Sequence, residues 1–240
     1  MLARLSLLLD GSIGFRQSSL LQGYLMELLD VEYAEYLHQK KLHPYSQYVK
    51  TGDDGGATWV IQTLSQEAYE NIIAKLEDDE IILHHRGELR LKVLGRHLEK
   101  VSAKDLVQDF YNTTSNRRFE LEFLTPTAFR QNKRYVILPD IRLIVQNLML
   151  KFSAAQREME MTDEDALEQI AGDTIITRHN IRSLPFPAEG QNIPGFLGRV
   201  ACECRGSETM TRYLRLLLSF GEFSGVGIKT AMGMGAVRIL

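Results

Sequence analysis

Residues 225–235 read GVGIKTAMGMG, four glycines in eleven positions with a single lysine, Lys229, among them. Gly225, Gly227, Gly233 and Gly235 each permit a positive φ and a close backbone approach that a Cβ would forbid. Consecutive exposed N–H groups in such a loop form a nest suited to an anion. Lys229 would add a charge and Thr230 a hydroxyl. Two familiar phosphate loops do not fit, because a dinucleotide fingerprint wants glycine where Thr230 stands and a P-loop wants it where Ile228 stands. An isolated pair of glycines would read as a tight corner between helix and strand; four of them point to ligand approach.

The elements around the loop give the architecture. Upstream, Ser207 can cap a helix whose Met210, Leu214, Leu217 and Phe220 lie on or near one face. Downstream, Ala236–Leu240 reads as a strand. Further back, the pattern predicts strands at Thr174–Arg182 and Phe196–Arg205, an apolar-striped helix over Ile141–Ala155 and a strand at Arg118–Leu124. That order is the ferredoxin-like unit, βαββαβ.

The first half repeats it. A strand over 2–9 precedes a helix marked by Leu20, Leu21, Tyr24, Leu25 and Leu28, then a short helical stretch at Val31–Lys40. Strands near 45–50 and 57–64 flank the turn signal GDDGG. A helix at Glu67–Leu76, strands at Glu80–His85 and 89–101 and a short helix at 102–111 follow. The polar run NTTSNRR, 112–118, reads as a linker. The expected class is α+β: two tandem ferredoxin-like (RRM-like) domains, 1–115 and 116–240, the second carrying the glycine-rich loop.

Composition sets the outer bounds. Lys plus Arg total 28 against 31 Asp plus Glu, a net charge of -3, so any nucleic-acid surface must be a local basic patch. Apolar residues make 44% and charged residues 25%, ordinary for a globular protein. Cys202 and Cys204 would share one face of a strand as small apolar residues, and they suggest neither a zinc site nor a disulfide framework. The apolar start MLARLSLLL stops at Asp10 and reads as a first strand rather than a leader. No apolar run reaches transmembrane length. A cytoplasmic protein without membrane partners, cofactor or metal is the expectation.

The run SGVGIKTAMGMGAVRI, 224–239, closely resembles the C-terminal glycine-rich loop of the CRISPR repeat-RNA processing endoribonucleases, the sixth Cas protein family of the RAMP superfamily. LTPTAF (Leu124–Phe129) is similar to that family's Pro-Thr segment, and IPGFLGRV (Ile193–Val200) to its Gly-Phe-x-Gly strand. LQGYLMELL and YLHQKKLHPYSQY resemble its first helix and histidine-bearing segment. The resemblance implies metal-independent cleavage of repeat RNA (pre-crRNA) by attack of the substrate's own 2′-hydroxyl on the adjacent phosphate, yielding guide RNAs. Such a reaction asks for proton transfer and for stabilisation of a phosphorane.

Under that resemblance His38 takes the place of the family's histidine, with His43 as its rival five residues on. Tyr24 falls at an aromatic position near the scissile phosphate, although it also lies on its helix's apolar stripe. Lys40 or Lys41 would supply the lysine. His84, His85, His97 and His179 read as surface or packing residues. RNA contacts would come from the glycine loop, from Arg117, Arg118, Arg130, Lys133 and Arg134, and from Arg178 and Arg182 beside His179. The acidic stretch Glu158–Glu168 reads as solvent-facing. Other Cas proteins of a surveillance complex, and a monomer or homodimer, stay open as partners. Two other classes compete: a non-catalytic RAMP-type RNA-binding subunit, and a small ferredoxin-like metabolic enzyme with no recognisable cofactor site.

Overall fold

The computed structural model describes residues 1–52, 55–84, 87–102, 105, 116–156, 160–188 and 190–240. In the first half, β1 (Leu2–Leu9) is followed by α1 (Ser18–Leu28), α2 (Val31–Gln39), β2 (Tyr45–Thr51), β3 (Ala57–Thr63), α3 (Gln66–Asn71), β4 (Glu80–His84) and β5 (Glu88–Val101). The antiparallel sheet runs β2-β3-β1-β5-β4. Leu5, Leu7 and Leu9 alternate into a core shared with Leu21 and Leu25 of α1 and with Tyr33 and Leu37 of α2. β5 is long enough to pair with β1 through its second part and with β4 through Glu88–Lys92. The strand that closes the ferredoxin-like unit is therefore β5, and β4 is an added edge.

In the second half, β6 (Arg118–Thr127), β7 (Phe129–Gln131) and β8 (Arg134–Val136) lead to α4 (Ile141–Ala155), α5 (Glu164–Asp173), β9 (Thr174–Ala188), β10 (Gln191–Cys204), α6 (Glu208–Ser224) and β11 (Val237–Ile239). The sheet order is β11-β6-β10-β9, the ferredoxin-like arrangement. Ser207 caps α6 as its sequence suggests, its side chain accepting from the Met210 N–H. Cys202 and Cys204 are both buried under the helices.

Several elements depart from their sequence pattern. The hairpin β9–β10 extends well past Arg182, because Pro185 stands opposite Pro194 and neither strand needs an N–H there. Residues 164–168 are not simply a solvated surface: Asp163 caps α5, which buries Ala166, Leu167 and Ile170. Residues 158 and 159, His85, and nearly all of the helix expected over 102–111 lie outside the described residues. Among the described residues no helix is long and apolar enough to cross a membrane.

The two sheets meet at the C-terminal end of α6. Glu222 O accepts from Arg4 Nη2 of β1 at 3.2 Å and from Gln62 Nε2 of β3, and Phe223 O accepts from Ser46 Oγ of β2 at 2.6 Å. Gln47, 1% exposed, forms a second stitch. Its Nε2 donates to Ser18 O at 2.8 Å and Ala231 O at 3.2 Å, while its Oε1 accepts from Trp59 Nε1 at 2.7 Å. Replacing Gln47 with Leu would strand one donor and two carbonyls in a dry site. We expect Gln47→Leu to lose about 3 kcal/mol or more in urea unfolding, since each buried orphan costs about 1–3 kcal/mol; a loss under about 1 kcal/mol would mean that the stitch is dispensable.

Candidate active site and nucleic-acid interface

A cleft of about 420 Å³ lies where the segment after α2 faces the glycine-rich loop. The segment contributes Lys40, Lys41 and His43; the loop contributes Gly227, Lys229 and Thr230; Arg130 and Tyr135, cross-strand partners in the β7–β8 hairpin, border it. Lys151 of α4 forms its floor. The cleft thus gathers four lysines and an arginine, and among the described residues no carboxylate lines it.

His43 is half-buried, packed edge-on against Tyr45 with centroids 5.7 Å apart. Its Nδ1 is buried without a hydrogen-bond partner. Burial first, then the nearby His38, Lys229 and Lys151, push its pKa below the ordinary histidine value. Protonating both ring nitrogens would bury an N–H at Nδ1 with no acceptor among the described residues, which disfavours the charged ring. His38, in the last turn of α2, is solvent-exposed and is not among the residues that line the cleft. It is close enough for its charge to be felt by His43.

Lys151 went unseen in the sequence, where Ile141–Ala155 reads as an apolar stripe. It occupies that stripe, seven residues after the buried Ile144, and is itself 5% exposed. A lysine at a core position of a helix is the signal that could have found it. Its Nζ donates to Ser224 O at 3.1 Å, Gly225 O at 3.0 Å and Thr230 Oγ1 at 3.1 Å. Burial pulls its pKa down to about 7. Asn147, one turn earlier, accepts the Gly227 N–H at 2.8 Å.

The loop differs from the exposed nest expected of it. Gly225, Gly227, Gly233 and Gly235 do have positive φ, but the stretch is buried apart from Ile228 and Lys229, which are half-buried. Most of its N–H groups are used internally: Val226 on Gly235 O, Ile228 on Ala128 O, Met234 on Lys229 O, Gly235 on Pro126 O and Ala236 on Thr125 Oγ1. The glycines serve internal packing. A Cβ on Gly235 would stand 2.0 Å from Val226 O, and one on Gly233 2.3 Å from Ser18 Cβ. What the loop presents to the cleft is Lys229, itself left-handed at φ 56°, together with Thr230.

Other expected site residues lie apart. Tyr24 is two residues from the cleft-lining Gln22, about 200° round the helix. Its hydroxyl donates to Asp78 Oδ2 at 3.2 Å and its ring packs edge-on to Trp59. Burial, then Asp78, raise its pKa to about 12, so it stays a phenol. Arg117 bonds Gly206 O at 2.5 Å and, with Arg118, sits at the start of β6. Ten residues of strand, roughly 30 Å at 3.3 Å each, separate them from Arg130. The cluster 117–134 is therefore two separate patches. Lys133 and Arg134 lie at the turn of the β7–β8 hairpin, Lys133 at φ 64°. Arg178 and Arg182 are exposed on the edge strand β9, and Arg178 pairs with Glu120 at 3.3 Å. Among the described residues no three of His, Cys, Asp and Glu come together as metal ligands.

Two expectations follow. Gly235→Ala should unfold at lower temperature than the parent, by on the order of 2–3 kcal/mol, because it combines a φ of +72° with a backbone clash. A fully stable variant would return the loop to ligand approach. His43 has a folded pKa below its unfolded one, so below about pH 6.5 the unfolded chain takes up a proton that the native state resists. Stability should fall as pH drops through that range, and His43→Gln should flatten the slope in urea titrations at pH 5.5 and 7.5; an unchanged slope would place the ring in ordinary solvent.

The chain is similar to known proteins over most of its length. The model of the CRISPR-associated endoribonuclease Cas6 family matches residues 121–237. A CRISPR-associated endoribonuclease Cas6 from Mycobacterium tuberculosis is 36% identical over 222 residues, covering 91% of this chain and 70% of that protein. Another from Streptococcus thermophilus is 32% identical over 218 residues, covering 90% and 88%. A solved Cas6 product complex shares the fold with a TM-score of 0.83 at 24% identity, over 100% of this chain and 99% of that one. The chain belongs to the CRISPR-associated endoribonuclease Cas6 family.

Proposed function

We propose that this protein cuts CRISPR repeat RNA within each repeat, without a metal ion, through the 2′-hydroxyl upstream of the scissile phosphate. The observation that carries the reading is the cleft itself: histidine and lysine from one half of the chain meet Lys229, Thr230 and Arg130 from the other, in a site rich in basic side chains. A phosphodiester fits that charge, and the glycine loop's rigidity keeps Lys229 where the phosphorane's charge would develop. The 2′-hydroxyl is part of RNA alone, so DNA would bind and survive.

The two histidines divide the work. A group that shuttles protons must exchange them with water, which suits the exposed His38. His43, whose charged form burial disfavours, would offer its more accessible ring nitrogen to the phosphate as an Nε2–H donor. Lys40, Lys41, Lys229 and Arg130 hold the backbone around it. Tyr24 has a structural role. We assign the first domain, 1–115, to the chemistry, and the second, 116–240, to the grip, with Arg178, Arg182, Lys133, Arg134, Arg117 and Arg118 as outlying contacts.

The test is single-turnover cleavage of the protein's own repeat RNA. Cleavage should persist in excess EDTA and stop when the upstream ribose is 2′-deoxy, with binding retained. His38→Ala should lose about 10²–10⁴-fold in rate with affinity kept, as for a general acid–base group. Tyr24→Phe should cut at nearly the parent rate. Loss of cleavage on chelation, restored by a divalent ion, overturns the mechanism; tight binding without cleavage makes the protein a non-catalytic RNA-binding subunit.

A further inference from the structure

A second cleft, about 300 Å³, opens beside the first and shares Lys40, Lys41, Leu42, His43 and Lys151 with it. Its remaining walls are Tyr36, Pro44, Ala154 and Ala155. The two alanines, Ala154 exposed and Ala155 half-buried, end α4 and leave a slot that larger residues would narrow. The walls that the first cleft does not share are thus apolar and aromatic, with the exposed Lys40 and Lys41 beside them.

Tyr36 is half-buried in this slot. Tyr33, three residues earlier on the same face of α2, supports its ring with centroids 5.5 Å apart and planes 25° from parallel. Lys40, four residues later, places Nζ 4.8 Å from the ring centroid. Tyr33 is buried and Lys40 exposed, so the ring has one fixed neighbour and one replaceable neighbour. A flexible ammonium resting on an aromatic face gains less than a base stacked there. The exchange of one for the other is favourable, and it leaves Lys40 free to meet a phosphate.

We propose that this slot is a nucleobase subsite: the base of a nucleotide flanking the phosphate at His43 stacks on Tyr36 and displaces Lys40. The proposal rests on the RNA-cleaving reading above and adds to it a residue that fixes where the strand is held. Tyr36 reads no Watson–Crick edge, so the site takes an unpaired nucleotide and favours purines for their larger stacking face.

The experiment crosses protein and RNA changes. Non-cleavable 2′-deoxy repeat RNAs are made with an abasic site, or with 2-aminopurine, at each of the three nucleotides on either side of the cut. Tyr36→Leu should weaken binding of the intact RNA on the order of 5- to 100-fold, and Tyr36→Phe should bind like the parent. At one position the abasic RNA should lose a similar factor, and there Tyr36→Leu should add nothing. Fluorescence of 2-aminopurine at that same position should be quenched by the parent and by Tyr36→Phe. Additive losses at every position overturn the subsite, as does the absence of quenching anywhere with the parent, which needs no variant to fold. A parent that neither binds nor cuts intact repeat RNA would instead overturn the reading on which the subsite stands.

Discussion

The last carbonyls of α6 have no partners within their own helix, and the rest of the molecule is arranged around supplying them. A helix leaves four such groups at its C-terminus, each costly if buried unpaired. Here Gly221 O takes the Gly225 N–H, Glu222 O takes Arg4 and Gln62, and Phe223 O takes Ser46. Ser224 O and Gly225 O take Lys151. The donors come from β1, β2 and β3 of the first sheet and from α4 of the second half. One helix end therefore docks the first sheet and sets the direction in which the chain leaves α6 into the glycine loop.

That geometry accounts for the character of the cleft. Lys151 is spent on three oxygens beneath the loop, so its charge is fixed in place and faces His43 from behind. A helix C-terminus favours a cation, which offsets part of what burial costs the ammonium. The same field, added to that of Lys229, disfavours a second charge on His43. One buried amine thereby anchors the loop, and it adds to the burial that already lowers the pKa of the neighbouring imidazole. The four left-handed glycines follow from this close stacking: Gly225 sits against Thr230, Gly227 against Ala128 and Gly235 against Val226.

Much of this was legible in the sequence where a single local rule decides. The period-2 runs of β1 and β6, the Ser207 cap and the glycine signature all correspond to elements in place. What the pattern does not give depends on what lies across the chain. Tyr24 occupies a suitable position in the sequence, but Asp78, 54 residues away, claims its hydroxyl. Arg117 and Arg130 are neighbours in a list and lie at opposite ends of a strand in space. Lys151 looks like a break in an apolar helix until the carbonyls of a helix 73 residues later are brought against it. Pattern reading finds faces and periods; it does not find which distant group satisfies a buried one.

The net charge of -3 then ceases to argue against a polyanion partner. Acidic side chains are not absent near the basic ones; they are paired elsewhere. Glu122 holds both Arg199 and Arg238, and hydrogen bonds from those two arginines keep its carboxyl below the usual range despite partial burial. Glu120 holds Arg178, and Arg142 is flanked by Glu164 and Glu168. The exposed pairs among them add little stability, and their effect on the field is to cancel locally. Among the described residues that line the cleft, lysines and an arginine outnumber carboxylates, and low-dielectric walls focus what such a cluster projects. Over a Debye length of about 8 Å at physiological salt, an approaching phosphate meets the cleft's own sign rather than the chain's total, so the segregation of charge decides which face takes the nucleic acid.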